Sequence, residues 1–163
     1  MIDIRFPTAL QMMLSLALAQ QESVSQLSSS QLAQSLGANP SFVRKLLVPL
    51  VRDELVHSMM GKNGGVRLAK APDQITLRDI YRSIVMDKKI WVPRTGIPHR
   101  CLVSSNVRGY FEELIDDAEE AVLSMLERHT LLQALKELQN RASVTKSATK
   151  TRAKTTRSRS SRS

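Results

Sequence analysis

Gly37, Asn39 and Pro40 separate two short amphipathic stretches, and a cluster of Gly61, Gly64 and Gly65 follows soon after. That order constrains the fold more than any other feature of the chain. Ser28 and Gln31, three apart, have the form of a capping box, with Ser29 or Ser30 as alternative caps, and Leu32, Ala33 and Leu36 supply one buried face. Gly37 suits the left-handed residue that closes a helix. Asn39 is a good cap for the next helix, with Pro40 in its first turn. Phe42, Val43, Leu46, Leu47 and Leu50 form the apolar face of that helix, while Ser41, Arg44, Lys45 and Arg52 lie mostly on another. Pro49 lacks an N–H, so it is expected to kink the last turn or end the regular part early. Two helices joined by so tight a turn read as a helix-turn-helix.

Leu55-Val56-His57-Ser58 and Val66-Arg67-Leu68-Ala69 follow as short strands, and the glycine-rich stretch from Met59 to Gly65 is the tip of a hairpin between them. A helix-turn-helix followed by such a hairpin predicts a winged helix. Ahead of it, Phe6, Leu10, Met13, Leu14, Ala17 and Leu18 make an apolar stripe on a first helix. Behind it, Thr76 and Asp79 form a capping box, and Ile75 can staple to Ile80 on a helix reaching about Asp87. Lys88 to Arg100 is a loop broken by Pro93, Gly96 and Pro98.

A long helix is expected from near Leu102–Ser105 to about His129, followed by a short one from Leu131 to Leu138 capped by Thr130. Val107, Phe111, Leu114, Ile115, Ala118, Val122, Met125 and Leu126 give the long helix more apolar surface than a small domain can cover, so a second copy of the chain is expected on it. The expected class is mainly α with a small β-wing: a winged helix-turn-helix plus a long dimerisation helix. The segments are 1–87 for the winged helix, 88–101 for a sensor loop, 102–140 for the dimerisation helices and 141–163 for a tail.

Charge is distributed unevenly. The 163 residues carry a net charge of +9, and residues 141–163 hold eight basic residues and no acid. Residues 110–140 hold eight acids and two bases. The tail has no aromatic and one large aliphatic, Val144, so it is expected to be disordered, a flexible arm for phosphates or a solubilising tail. No apolar run approaches the ~18 residues that a membrane span needs, and the first residues lack the layout of a signal peptide. A cytoplasmic, nucleoid-associated address without a membrane partner is the simplest expectation. One cysteine excludes an internal disulfide and any site built on several thiolates. No nucleophile elbow, phosphate-cradling loop or paired His–carboxylate motif is present, so an enzyme is not expected.

The segments Arg5-Phe6, Leu32 to Leu47, Gly61 to Lys70 and Ile75 to Ile80 carry a specific likeness. Through them residues 3–138 resemble the Rrf2 family of winged helix-turn-helix transcriptional regulators, the family of IscR, NsrR and CymR. The resemblance implies a homodimer held by the long helix, a palindromic DNA operator, a mostly repressing role and effector sensing in the loop before that helix. Cluster-binding members carry three loop cysteines. Here Cys101 matches the last position, while Lys89 and Thr95 stand near the other two, so the chain looks like the cluster-free branch.

Asn39, Ser41, Arg44 and Lys45, at the exposed start of the third helix, are the expected major-groove readers, with Arg44 or Lys45 suited to guanine. Pro40 and Phe42 are read as structural residues or thymine-methyl contacts. Lys62, Asn63 and Arg67 of the wing are expected on phosphate or in the minor groove, and Arg5 resembles an N-terminal phosphate contact of the family. Half-sites would lie about one helical turn, ~34 Å, apart. Cys101, beside Arg100 and near His99 at a helix start, is open to three readings: a redox or electrophile switch, a small buried thiol, or a ligand in an unusual iron-sulfur or metal site with His99 or an acidic group. Trp91, with His99, lines an effector pocket or lies as a lid on the core. His57 and His129 are read as non-ligands. A small-molecule-responsive regulator without thiol chemistry and a non-specific architectural binder remain as alternatives.

Overall fold

The computed structural model describes residues 3–61, 64–85, 88–98 and 100–160, with side chains of the last helix described as far as Thr145. The chain runs α1 (Arg5–Gln21), α2 (Ser29–Leu36), α3 (Pro40–Arg52), β1 (Val56–Met59), β2 (Gly65–Leu68), a 3-10 turn (Pro72–Gln74), α4 (Leu77–Val85), α5 (Leu102–Glu127) and α6 (Leu131–Ser160). This is the expected helical fold with a small β-wing.

Local chemistry sets most of the helix ends. The Ser28 hydroxyl accepts from the Gln31 amide at 3.1 Å, and the Gln31 carboxamide oxygen accepts from the Ser28 amide at 2.8 Å. Asn39 caps α3 through Ser41. Thr76 with Asp79, and Thr130 with Gln133, close their helices in the same reciprocal way. At the other ends a common device recurs. Val24, Ala38 and Leu55 each donate back to the carbonyl five residues earlier, across a left-handed residue. That residue is Gly37 after α2, but Ser23 after α1 and Glu54 after α3.

The core gathers around α1, where Ala9, Met12, Met13, Leu16 and Ala17 are buried. The stripe is therefore turned from the expected one: Leu18 is 37% exposed, and Leu10 and Leu14 are only partly buried. Elements on both sides of α1 decide that orientation, which periodicity within α1 cannot. Pro49 does not end α3. The helix passes through it to Arg52, because the missing amide falls in the final turn and Leu46, Leu47 and Leu50 stay anchored in the core.

The strands pair antiparallel, Val56 opposite Leu68 and Met59 opposite Gly65, one residue later on β1 and one earlier on β2 than expected. A third short segment joins them at Leu27, whose amide donates to Val66 at 3.0 Å and whose carbonyl accepts from Val66 at 2.7 Å.

The rear helices differ in their attachment. α6 begins inside the winged-helix core: Leu131 and Leu135 are buried there, and the Leu131 amide donates to Ile75. α5 is held to α4 at its far end by Arg78 and Glu127 and by the buried Leu126, with Ile115 buried midway along it. Several of its other apolar residues are left open, including Val103 and Tyr110, each 67% exposed, while Val107, Phe111 and Val122 are half-buried. The helix α6 continues to Ser160, beyond the expected end at Leu138.

Candidate nucleic-acid interface

The start of α3 is built by its cap. The Asn39 carboxamide oxygen accepts from the Ser41 amide at 2.8 Å, which leaves its amide group free to donate outward. Val43, Leu46, Leu47 and Leu50 face inward and are buried, so the 3.6-residue period turns Ser41, Arg44, Lys45 and Val48 to solvent together. Asn39, Ser41, Arg44 and Lys45 are thus brought onto one exposed surface, as the sequence suggests. Phe42 is partly buried and packs against the core, in line with the structural one of its two readings. Pro40 is exposed in the first turn.

The wing stands beside this helix. Arg67 is exposed on β2 directly across from His57 of β1. Lys62 and Asn63, the other two expected wing contacts, lie outside the described residues. Between wing and helix runs a groove of about 520 Å³, lined by Arg44, Val48 and Val51 of α3, Ser28 and Ser29 at the start of α2, and Ser58, Met59 and the glycines of the wing. Sequence reasoning treated Ser28 and Ser29 only as capping residues and missed Val48 altogether. The signal for Val48 was its spacing: it lies four residues after Arg44, on the polar side of the helix.

Arg5 sits apart from this surface chemically. Its guanidinium forms a bidentate pair with Asp3 and reaches the Ile84 carbonyl at 3.5 Å. The Arg5 guanidinium holds the Asp3 carboxyl down at about 2. A phosphate would have to displace Asp3 to reach it.

The expected sensor loop is fastened to α5. Lys89 Nζ reaches Asp116 at 2.6 Å and Glu119 at 3.1 Å, and the Ile90 amide donates to Glu119 at 2.9 Å. Trp91 is half exposed and tilts onto Phe111, with ring centroids 6.4 Å apart. His99 lies outside the described residues, so its part in an effector pocket does too.

Cys101 caps α5 and is exposed, which corrects the reading of a buried thiol. Its Sγ accepts from the Ser104 amide at 3.5 Å and lies 3.4 Å from the Ser104 hydroxyl. The Ser104 hydroxyl, then the Ser104 and Val103 amides, lower the thiol pKa. Of the two expected causes, the helix start and the charge of Arg100, the helix start is the one that acts.

A profile of the Rrf2 family, described as "Iron-dependent Transcriptional regulator", matches residues 2–137. The HTH-type transcriptional regulator NsrR of Bacillus licheniformis is 27% identical over 100 residues, 61% of this chain and 68% of that one. Protein aau3 of Rhizobium meliloti (strain 1021) is 40% identical over 52 residues, 32% of this chain and 34% of that one. The chain thus spans about a third of the length of the first curated relatives it matches, 34% and 37%. Among solved structures, T. potens IscR superposes with a TM-score of 0.62 at 20% identity, over 85% of this chain and 88% of that one, a likeness of fold.

The donors here do not fit an iron-sulfur cluster of the three-thiolate kind. Cys101 is the one thiol in the sequence, and Lys89 is engaged with two carboxylates. Among the described residues, no three His, Cys, Asp or Glu side chains gather as a metal site. Among those residues, too, no helix is long and apolar enough to cross a membrane.

Proposed function

The chain belongs to the Rrf2 family of transcriptional regulators, and from that premise we propose that it is a homodimeric repressor that reads a palindromic DNA operator. The observation that carries the reading is the exposed face of α3. It places Asn39, Ser41, Arg44 and Lys45 side by side, next to a wing bearing Arg67, with no ion pair to Arg44, Lys45 or Arg67 among the described residues. Arg44 or Lys45 donates to guanine O6 and N7, and Ser41 and Asn39 bond base edges or flanking phosphates. Lys62, Asn63 and Arg67 follow the backbone or the minor groove. Arg5 contributes only if phosphate displaces Asp3.

Dimerisation is supported by α5. Val103, Val107, Tyr110, Leu114, Ala118, Val122 and Met125 recur at three- and four-residue steps along it, and Val103, Tyr110, Leu114 and Met125 are exposed in a single chain. A second α5 buries that stripe and sets two copies of α3 on one duplex. Repression follows from occupying the operator. The eight basic residues of 141–163 add phosphate contacts that raise affinity without reading sequence.

Cys101 is proposed as the switch. A peroxide oxidises its thiolate to a sulfenic acid, and a second thiol condenses with that, losing water, to give a disulfide. With one cysteine per chain, the second thiol belongs to the partner subunit or to a small thiol.

Selecting a binding site from random duplexes with the full chain, and weighing the complex by sedimentation, tests this. An inverted repeat bound by two chains is expected, and Arg44→Ala should relax one base of each half-site. Binding of random and selected duplexes with equal affinity would remove the reading. Peroxide should weaken binding by the parent and not by Cys101→Ser; an equal response in both removes the switch alone.

A further inference from the structure

Val48 stands on the outward face of α3 with 70% of its surface open to solvent. The side chains around it on that face are Ser41, Arg44 and Lys45. Valine forms helices less readily than the lysine and arginine beside it, so helix stability does not account for its presence. Single exposed aliphatics are ordinary on protein surfaces. Here Val51, 37% exposed, and Met59 of the wing extend the same apolar surface along the groove that Arg44 lines.

The surroundings say what covers this surface. Arg44 and Lys45 flank Val48 and Arg67 stands on the neighbouring wing, none with an ion-pair partner among the described residues. A basic rim around a narrow apolar strip suits a polyanion that displays an apolar group of its own. The major-groove edge of B-DNA carries one methyl group, the 5-methyl of thymine, beside its donors and acceptors. Phe42, the aromatic that the sequence offered for this contact, is partly buried against the core, whereas Val48 is open. Val48 lies two turns from the start of α3, on the side that carries Ser41 and Arg44 into the groove.

We propose that Val48 is a specificity-determining residue that packs against a thymine 5-methyl in each half-site, beside the base contacted by Arg44. This rests on the DNA-reading function proposed above. It adds a contact that discriminates thymine from cytosine or uracil through burial of one methyl group instead of through a hydrogen bond.

The test uses the full-length protein and its selected operator, with each thymine replaced singly by deoxyuridine, which keeps the base pair and removes only the methyl. One position per half-site is expected at which deoxyuridine weakens binding about fourfold, the size expected for one buried methyl. Val48→Ala should bind thymine and deoxyuridine operators equally at that position while keeping its response to changes at the guanine opposite Arg44. Its fold is checked by an unchanged melting temperature, and Val48→Thr, which keeps a methyl, should retain part of the preference. Tolerance of deoxyuridine everywhere by the parent protein overturns the proposal, as does an undiminished preference in Val48→Ala. Both outcomes leave sequence-specific binding intact, whereas a protein that selects no sequence at all overturns the DNA-reading function and this proposal with it.

Discussion

Leu27 and Val66 exchange two backbone hydrogen bonds, 3.0 Å and 2.7 Å long, across thirty-nine residues of sequence. Leu27 directly precedes the cap of α2, and Val66 lies in the second wing strand. The pair therefore ties the wing to the start of the helix-turn-helix, and it sets the width of the groove that separates Met59 from Arg44 and Val48. A two-stranded hairpin alone is marginal in water, so this third segment is what makes the wing a fixed part of the interface.

Gly64 and Glu54 should respond to substitution in opposite directions. A Cβ on Gly64 would lie 2.4 Å from the Met59 carbonyl oxygen, a backbone atom that cannot swing aside. Gly64→Ala is expected to cost about 1–3 kcal/mol and to speed amide exchange at Val66 and Leu27. Glu54 sits in the left-handed region at φ 55° without being glycine. Glu54→Gly should raise stability by about 1 kcal/mol, read from urea midpoints at constant slope.

Leu131 joins the last helix to the core, fully buried beside the strand-like link of Thr76 to Thr130. Leu131→Ala should cost about 2–5 kcal/mol. The same substitution at Leu138, 48% exposed, should cost little in the isolated chain. Chemical denaturation of both variants in dilute solution makes the comparison.

Lys89 holds the loop by two exposed ion pairs, so its loss should be felt locally and not globally. Lys89→Met is expected to leave the melting temperature nearly unchanged. Exchange of the Ile90 amide, which donates to Glu119, should quicken, and added salt should quicken it in the parent chain as well. Unaltered protection at Ile90 would show that the loop is held by Trp91 on Phe111 instead.

The Cys101 thiol is held below its ordinary value by hydrogen bonds from Ser104 and the helix start. These bonds favour the thiolate, so removing the first of them must raise the pKa. Ser104→Ala should shift the pH at which iodoacetamide alkylation reaches half its maximal rate upward, with slower alkylation at pH 7. A displacement of that midpoint to lower pH would contradict the geometry.

The sequence announced the helix starts because capping is local chemistry: Ser28 with Gln31, Asn39 with Ser41, Thr76 with Asp79 and Thr130 with Gln133 are all within three residues of each other. The inward face of α3 was legible for the same reason, since its period is written in consecutive residues. The exposed readers Asn39, Ser41, Arg44 and Lys45 followed from that face by subtraction. The left-handed ends at Ser23 and Glu54 were not legible, because neither residue carries the glycine signal that marked Gly37.

Other features required the chain to come together. The Leu27–Val66 link, the acidic partners of Lys89 on α5 and the docking of Leu131 beside Ile75 join residues far apart in sequence, which no local pattern encodes. The turn of the α1 stripe away from Leu18 was decided by helices packing on it from several sides. The sequence by itself determined where each helix begins, which face of α3 is polar, and that a single thiol must act without a second one in the chain. Tertiary structure alone decided that the wing is tied to Leu27 and stands beside Val48, and that Leu131 docks in the core while Val103 and Tyr110 stay open, because burial is settled by what packs around a residue and not by how apolar the residue is.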